Sequence, residues 1–165
     1  MDSAAELRFR EFVAARSHAL MRLAYLLTAG DQHAAEDLVQ SSLVRALAVW
    51  EKVEDPEAYV KRTIYNQHIS LWRRAWRRHE TTVAILPECA ADDGTRSIEL
   101  RMALREAMAR LTRRQRAMLV LRYYEDLPED EIARLMGCSI GTVRSTTHRS
   151  LARLRSEDLK ELMSR

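Results

Sequence analysis

Residues 128–151 read PEDEIARLMGCSIGTVRSTTHRSL, and this stretch decides the fold of the second half of the chain. Ile132, Ala133 and Met136 fall on one face of a short helix, and Ala133 is small enough to let a second helix approach closely. Gly137 supplies the left-handed backbone that a tight turn needs. Ser139 is a natural N-cap for the helix that follows. Val143, Thr147, Leu151 and Leu154 recur at i, i+4, i+8 and i+11 and form its inner face. Together these positions predict a helix-turn-helix. The opposite face carries Thr142, Ser145, His148 and Arg149, with Arg144 on the flank. Such side chains suit a DNA major groove, where arginine pairs with guanine edges or phosphates and serine and threonine serve either. The helix N-terminus adds backbone N–H donors for a phosphate. The competing reading is a helical hairpin with a solvated charged face.

Upstream of the motif, two further helices are expected at about 98–110 and 112–124. The motif helices are expected at about 128–136 and 139–155. Before them, ETTVAILPECAADDGTRS holds Pro87, Gly94 and an Asp-Asp pair, and reads as a flexible linker between two small helical domains. The first domain shows three helices. One covers 4–29, with Leu7, Phe9, Phe12, Val13, Leu20, Leu23 and Leu27 near helical spacing. Gly30 is its stop and Asp31 the N-cap of the next. That helix runs to about Trp50, with Ala35, Leu38, Val39, Leu43, Ala46, Leu47 and Trp50 inward. EKVEDPEA is a polar loop, and Pro56 introduces a third helix to about Arg78. The expected class is all-α: residues 1–80, a linker at 81–97, and residues 98–165.

The whole chain agrees with this reading. In 165 residues there are only four glycines and three prolines, and hydrophobic residues make up 47%. Net charge is +3, and it is unevenly spread. Residues 1–80 carry net +1, residues 81–97 net −2 and residues 98–165 net +4. No apolar run approaches the roughly 20 residues that span a bilayer. The N-terminus lacks the basic start and apolar core of a signal peptide. Cys89 and Cys138 are too few for a disulfide framework, and with the histidines they lack any zinc spacing. No metal or cofactor is expected, and a reducing cytoplasm fits best.

A second unusual segment is YVKRTIYNQHISLWRRAWRR, residues 59–78. Tyr59, Ile64, Ile69, Trp72 and Trp76 mix with Lys61, Arg62, Arg73, Arg74, Arg77 and Arg78. Aromatic rings stack on unpaired bases while arginines track the backbone, so the mixture, with Asn66, Gln67 and His68 one or two turns earlier, suits single-stranded DNA. A structural helix would instead bury its tryptophans and solvate its arginines. The two readings stand level on composition.

AEDLVQSSLVRALAVW, YVKRTIYNQHISLWRR and LTRRQRAMLVLRYYEDLPEDEIARLMGCSIGTVRSTTHRSLARLR occur here in the order and spacing of the extracytoplasmic-function group of bacterial RNA polymerase sigma factors. The chain resembles that group over nearly its whole length. The resemblance implies that residues 1–80 are sigma region 2 and residues 98–165 sigma region 4, with no C-terminal regulatory domain after it. Glu36, Asp37, Leu38, Val39 and Gln40 match the segment that docks on the clamp helices of the polymerase β′ subunit. The loop Glu51 to Glu57, with Asn66, matches the part that captures a flipped base of the −10 element. Trp72, Arg73, Arg74, Arg77 and Arg78 lie at the basic end of that helix, near opened DNA. Arg144, Ser145, His148 and Arg149 match the −35 readers. The implied partners are core RNA polymerase, through β′ and β, and promoter DNA, without membrane insertion. An anti-sigma factor is a family expectation, and the acidic linker would pass near the nascent RNA. Two departures stand out: Ser70 replaces a frequent aspartate, and His148 occupies a variable position, so no −35 preference carries over.

Two other functions compete with this one. A stand-alone operator-binding regulator explains the helix-turn-helix but leaves DLVQ and the basic aromatic helix without a role. An enzyme would need a phosphate loop, nucleophile elbow or metal cluster, and the sequence displays none.

Overall fold

The computed structural model describes residues 2–78 and 95–155, with side chains described for 2–71 and 98–155. The described residues are helical, with no strand among them. The helices are α1 (Ser3–Leu27), α2 (Gln32–Val49), α3 (Pro56–Arg78), α4 (Thr95–Arg110), α5 (Arg113–Leu119), α6 (Glu129–Met136) and α7 (Ile140–Leu154). A 3-10 turn, Trp50–Lys52, follows α2, and a π turn, Val120–Tyr124, follows α5. Among the described residues no helix is long and apolar enough to cross a membrane. The chain divides into two compact units, one built on Met1–Thr28 and Gln32–Glu80 and the other containing Thr81–Arg165.

In the first unit α2 packs on both α1 and α3. Leu20, Leu23 and Leu27 of α1 meet a core that includes Leu38, Val39, Ala46, Val60 and Ile64, all buried. Each buried leucine, isoleucine or valine side chain contributes about 1.5–3 kcal/mol. Trp50 seals the end of α2: Phe9 meets its ring edge-on at 5.0 Å and Phe12 lies at 5.3 Å. The α1–α2 turn passes through Ala29 (φ 52°) and Gly30 (φ 81°), a left-handed pair that only the second residue adopts freely. Pro56 opens α3, and the Asp55 carboxylate accepts from Ala58 N at 3.0 Å, capping that end.

Two expectations for this unit are corrected. Leu7 is 58% exposed and Leu47 37% exposed. Leu7 lies two residues, some 200°, from buried Ala5 around the helix. Leu47 sits one residue past the stripe Ala35, Leu38, Val39, Ser42, Ala46, which holds the i, i+3, i+4, i+7, i+11 pattern. Ser42, a polar residue, takes the interior place, and Gln67 Nε2 donates to its hydroxyl at 3.4 Å.

In the second unit α5 and α6 each pack on α7, and α4 also meets it. Thr112 and Gln115 form a reciprocal capping box at the start of α5. Arg116 is buried, and its guanidinium donates to the Met108 carbonyl at 3.1 Å, a second bond to an oxygen near the end of α4 that also accepts from Leu111 N at 3.2 Å. Burial, reinforced by Arg113, lowers its pKa to about 10. The expected helix 112–124 is not continuous: α5 ends at Leu119 and widens into the π turn, where Glu125 N bonds to Val120 O.

Candidate nucleic-acid interface

The bihelical motif is built as its residues dictate. α6 opens with Glu129, Asp130 and Glu131, three acids that complement its dipole. Ile132, Ala133 and Met136 are buried. Gly137 has φ 65°, and the N–H groups of Gly137 and Cys138 both return to the Ala133 carbonyl, closing the helix. Ser139 caps α7: its hydroxyl accepts from Thr142 N at 3.1 Å.

The inner face of α7 differs in part from its sequence reading. Val143 and Thr147 are buried, whereas Leu151 and Leu154 are half-buried. Thr146 and Ser150 join the buried set. Thr147 donates to Val143 O at 2.8 Å and Ser150 to Thr146 O at 2.6 Å. Both of these hydroxyls are satisfied within their own helix, so Thr147 and Ser150 are buried without orphaned donors. A hydropathy pattern cannot register such residues as core, but their stripe, i, i+3, i+4, i+7 from Val143, was visible.

The outer face holds the candidate readers. Arg144, Ser145, His148 and Arg149 are exposed on two successive turns. Thr142 is half-buried and its hydroxyl lies 2.9 Å from that of Ser139, which draws it into the cap. Arg149 Nε donates to Ser145 O at 3.3 Å. Arg144 Nε donates to Glu129 Oε2 at 2.6 Å, an ion pair the sequence reading missed because its partners stand fifteen residues apart. A Cβ added at Gly141 would meet only Ser139 Oγ, at 3.8 Å. Among the described residues nothing requires a glycine there.

In the first unit the trio Asn66, Gln67 and His68 separates by role. His68 is buried, and Gln67 is half-buried against Ser41 and Ser42 of α2. Asn66 is exposed. Of the loop before α3, Glu51, Lys52 and Glu54 are exposed. Glu57 pairs with Arg16 at 3.1 Å and Lys61 at 3.2 Å, and Asp55 is the α3 cap. α3 continues through Trp72, Arg73, Arg74, Trp76, Arg77 and Arg78, whose side chains lie outside the described residues. Ser70 is exposed.

The five α2 residues also divide. Leu38 and Val39 are buried in the core, Glu36 is half-buried and accepts from Gln32 Nε2 at 2.9 Å, and Asp37 and Gln40 are exposed. Among the described residues no group of three His, Cys, Asp or Glu side chains is placed to hold a metal ion.

The model of sigma-70 region 2 matches residues 12–78, and that of sigma-70 region 4 matches residues 101–154. An RNA polymerase sigma-E factor of Streptomyces coelicolor is 40% identical over 92% of this chain and 86% of its own. The ECF RNA polymerase sigma factor SigE of Mycolicibacterium smegmatis is 32% identical, over 93% of this chain and 63% of its own. Among solved structures, the sigma factor RpoE from Bartonella quintana, crystallised with the anti-sigma factor NepR, has the same fold. Its TM-score is 0.69 at 24% identity, over 95% of this chain and 97% of that one.

Proposed function

The chain belongs to the sigma-70 family, in its extracytoplasmic-function group, and from that membership we propose how its parts act. It docks on core RNA polymerase and directs it to promoters, with no catalytic chemistry of its own, in the cytoplasm. Residues 1–80 act as region 2, residues 81–97 as a linker and residues 98–165 as region 4. An anti-sigma partner is an expectation that comes with membership.

The observation that carries the assignment of the DNA face is the outer surface of α7. A capped helix, set by a left-handed glycine turn, exposes Arg144, Ser145, His148 and Arg149 together. These are the readers of the −35 duplex. Asn66, with the exposed charges of the loop before α3 and the arginines at its end, acts on the opened −10 region. Asp37 and Gln40 form the polar part of the surface presented to the β′ clamp helices, while Leu38 and Val39 hold the turn beneath them.

The test is run-off transcription with purified core polymerase. The chain directs initiation at discrete sites only when core is present, and Arg149→Ala removes −35-dependent transcription while core binding persists. Loss of one base-contacting arginine costs about 1–3 kcal/mol. Tight, sequence-specific duplex binding without core would instead favour the stand-alone regulator.

A further inference from the structure

Arg144 is held by a carboxylate from another helix. Its Nε lies 2.6 Å from Oε2 of Glu129, with the arginine side chain 69% exposed and the glutamate 27% exposed. Glu129 is fixed at the start of α6, where the helix dipole favours its charge. An unpaired acid beside a DNA-reading face repels phosphates and weakens binding. Paired through Nε, it does something different. A guanidinium has five donors in a planar fork. Engaging Nε leaves the NH1/NH2 edge outward, and that edge fits guanine O6 and N7 or a phosphate. A free arginine must lose rotamer freedom to present the same edge, whereas a tethered one has already lost much of it.

We infer that Glu129 is a positioning residue, which fixes the Arg144 guanidinium for bidentate reading of a guanine edge in the −35 duplex. This rests on the reading of α7 as the −35 helix. The neighbouring acid Asp130 is engaged elsewhere, with Arg134 at 3.5 Å, so the tether falls to Glu129.

The experiment uses the full chain assembled with core polymerase and a panel of duplex promoters substituted at each −35 base pair. Arg144→Ala flattens discrimination at one base pair, by roughly 5- to 150-fold. Glu129→Ala loses about 2- to 10-fold of the discrimination at the same base pair, the range for one hydrogen bond. Added to Arg144→Ala it does nothing further. Glu129→Gln, which keeps an acceptor for Nε, restores most of the preference. Thermal melting of each variant reports folding. Uniformly tighter binding by Glu129→Ala, with preferences intact, would make the acid an electrostatic brake and overturn the inference. A uniform loss that tracks a lowered melting point, unrelieved by Glu129→Gln, would make it a structural residue, with the same consequence. If Arg144→Ala leaves every promoter unchanged, the reading of α7 fails first and the inference with it.

Discussion

Gly141 is the residue whose identity the protein's own packing does not explain. It lies in the first turn of α7, and a methyl group there meets only Ser139 Oγ at 3.8 Å. Glycine in a helix costs up to about 1 kcal/mol relative to alanine. Its use where space is open suits a backbone that must come close to something outside, and a phosphate at a helix N-terminus is such a group. Gly141→Ala is therefore expected to raise the melting temperature of the chain slightly and to weaken promoter binding by the holoenzyme. Thermal melting and duplex affinity measure the two effects. Unchanged affinity would show that no phosphate approaches this turn. Gly137 is different: its φ of 65° is required by the turn, and the sequence announces it through its place between two helical patterns. Ser139 was equally legible, because a cap declares itself by residue type and position. The Glu129–Arg144 pair was not legible, since long-range ion pairs carry no periodic signal.

At the scale of the element, α2 teaches the limit of a motif read as one block. DLVQ spans one helical turn, so its members must point in different directions. Leu38 and Val39 face the core at 3% and 4% exposure, while Asp37 and Gln40 face solvent. Variants of the turn should part accordingly. Asp37→Arg with Gln40→Ala is expected to reduce co-purification with core polymerase at an unchanged melting temperature. Leu38→Ala is expected to cost about 2–5 kcal/mol of stability, the range for truncating a buried leucine. Wild-type recovery with core by the charged-face double variant would remove this turn from the docking surface. Helical periodicity supplied α2 itself and most of its inner stripe. It misassigned Leu47 and passed over Ser42, because hydropathy and direction disagree at both. The same disagreement explains Thr146 and Ser150 in α7, buried polar residues, of which Ser150 returns its hydroxyl to the Thr146 carbonyl of its own helix.

At the scale of the whole molecule, the proposed function asks the two units to act on different forms of DNA. The two-unit division was legible from one segment rich in turn formers between two helical patterns, although most of that segment lies outside the described residues. α7 presents its side chains as a capped rigid helix, the form that enters a closed major groove. The first unit offers exposed Asn66 on α3 and exposed Lys52 and Glu54 on the turn and loop before that helix, chemistry suited to holding a base already out of the stack. Extruding a base costs a few kcal/mol, and capture must offset that cost. The variant that tests capture must spare Asp55 and Glu57, because one caps α3 and the other pairs with Arg16 and Lys61. Removing the cap alone costs about 1 kcal/mol and would confuse folding with function. Lys52→Ala, Glu54→Ala and Asn66→Ala together are expected to slow promoter opening, seen as delayed permanganate reactivity across the −10 region, with the helical circular dichroism unchanged. On a template already melted there, most of the transcription defect should vanish, since the energy the captured base was offsetting is no longer needed. An equal defect on both templates would place the role of these three residues after opening rather than in it.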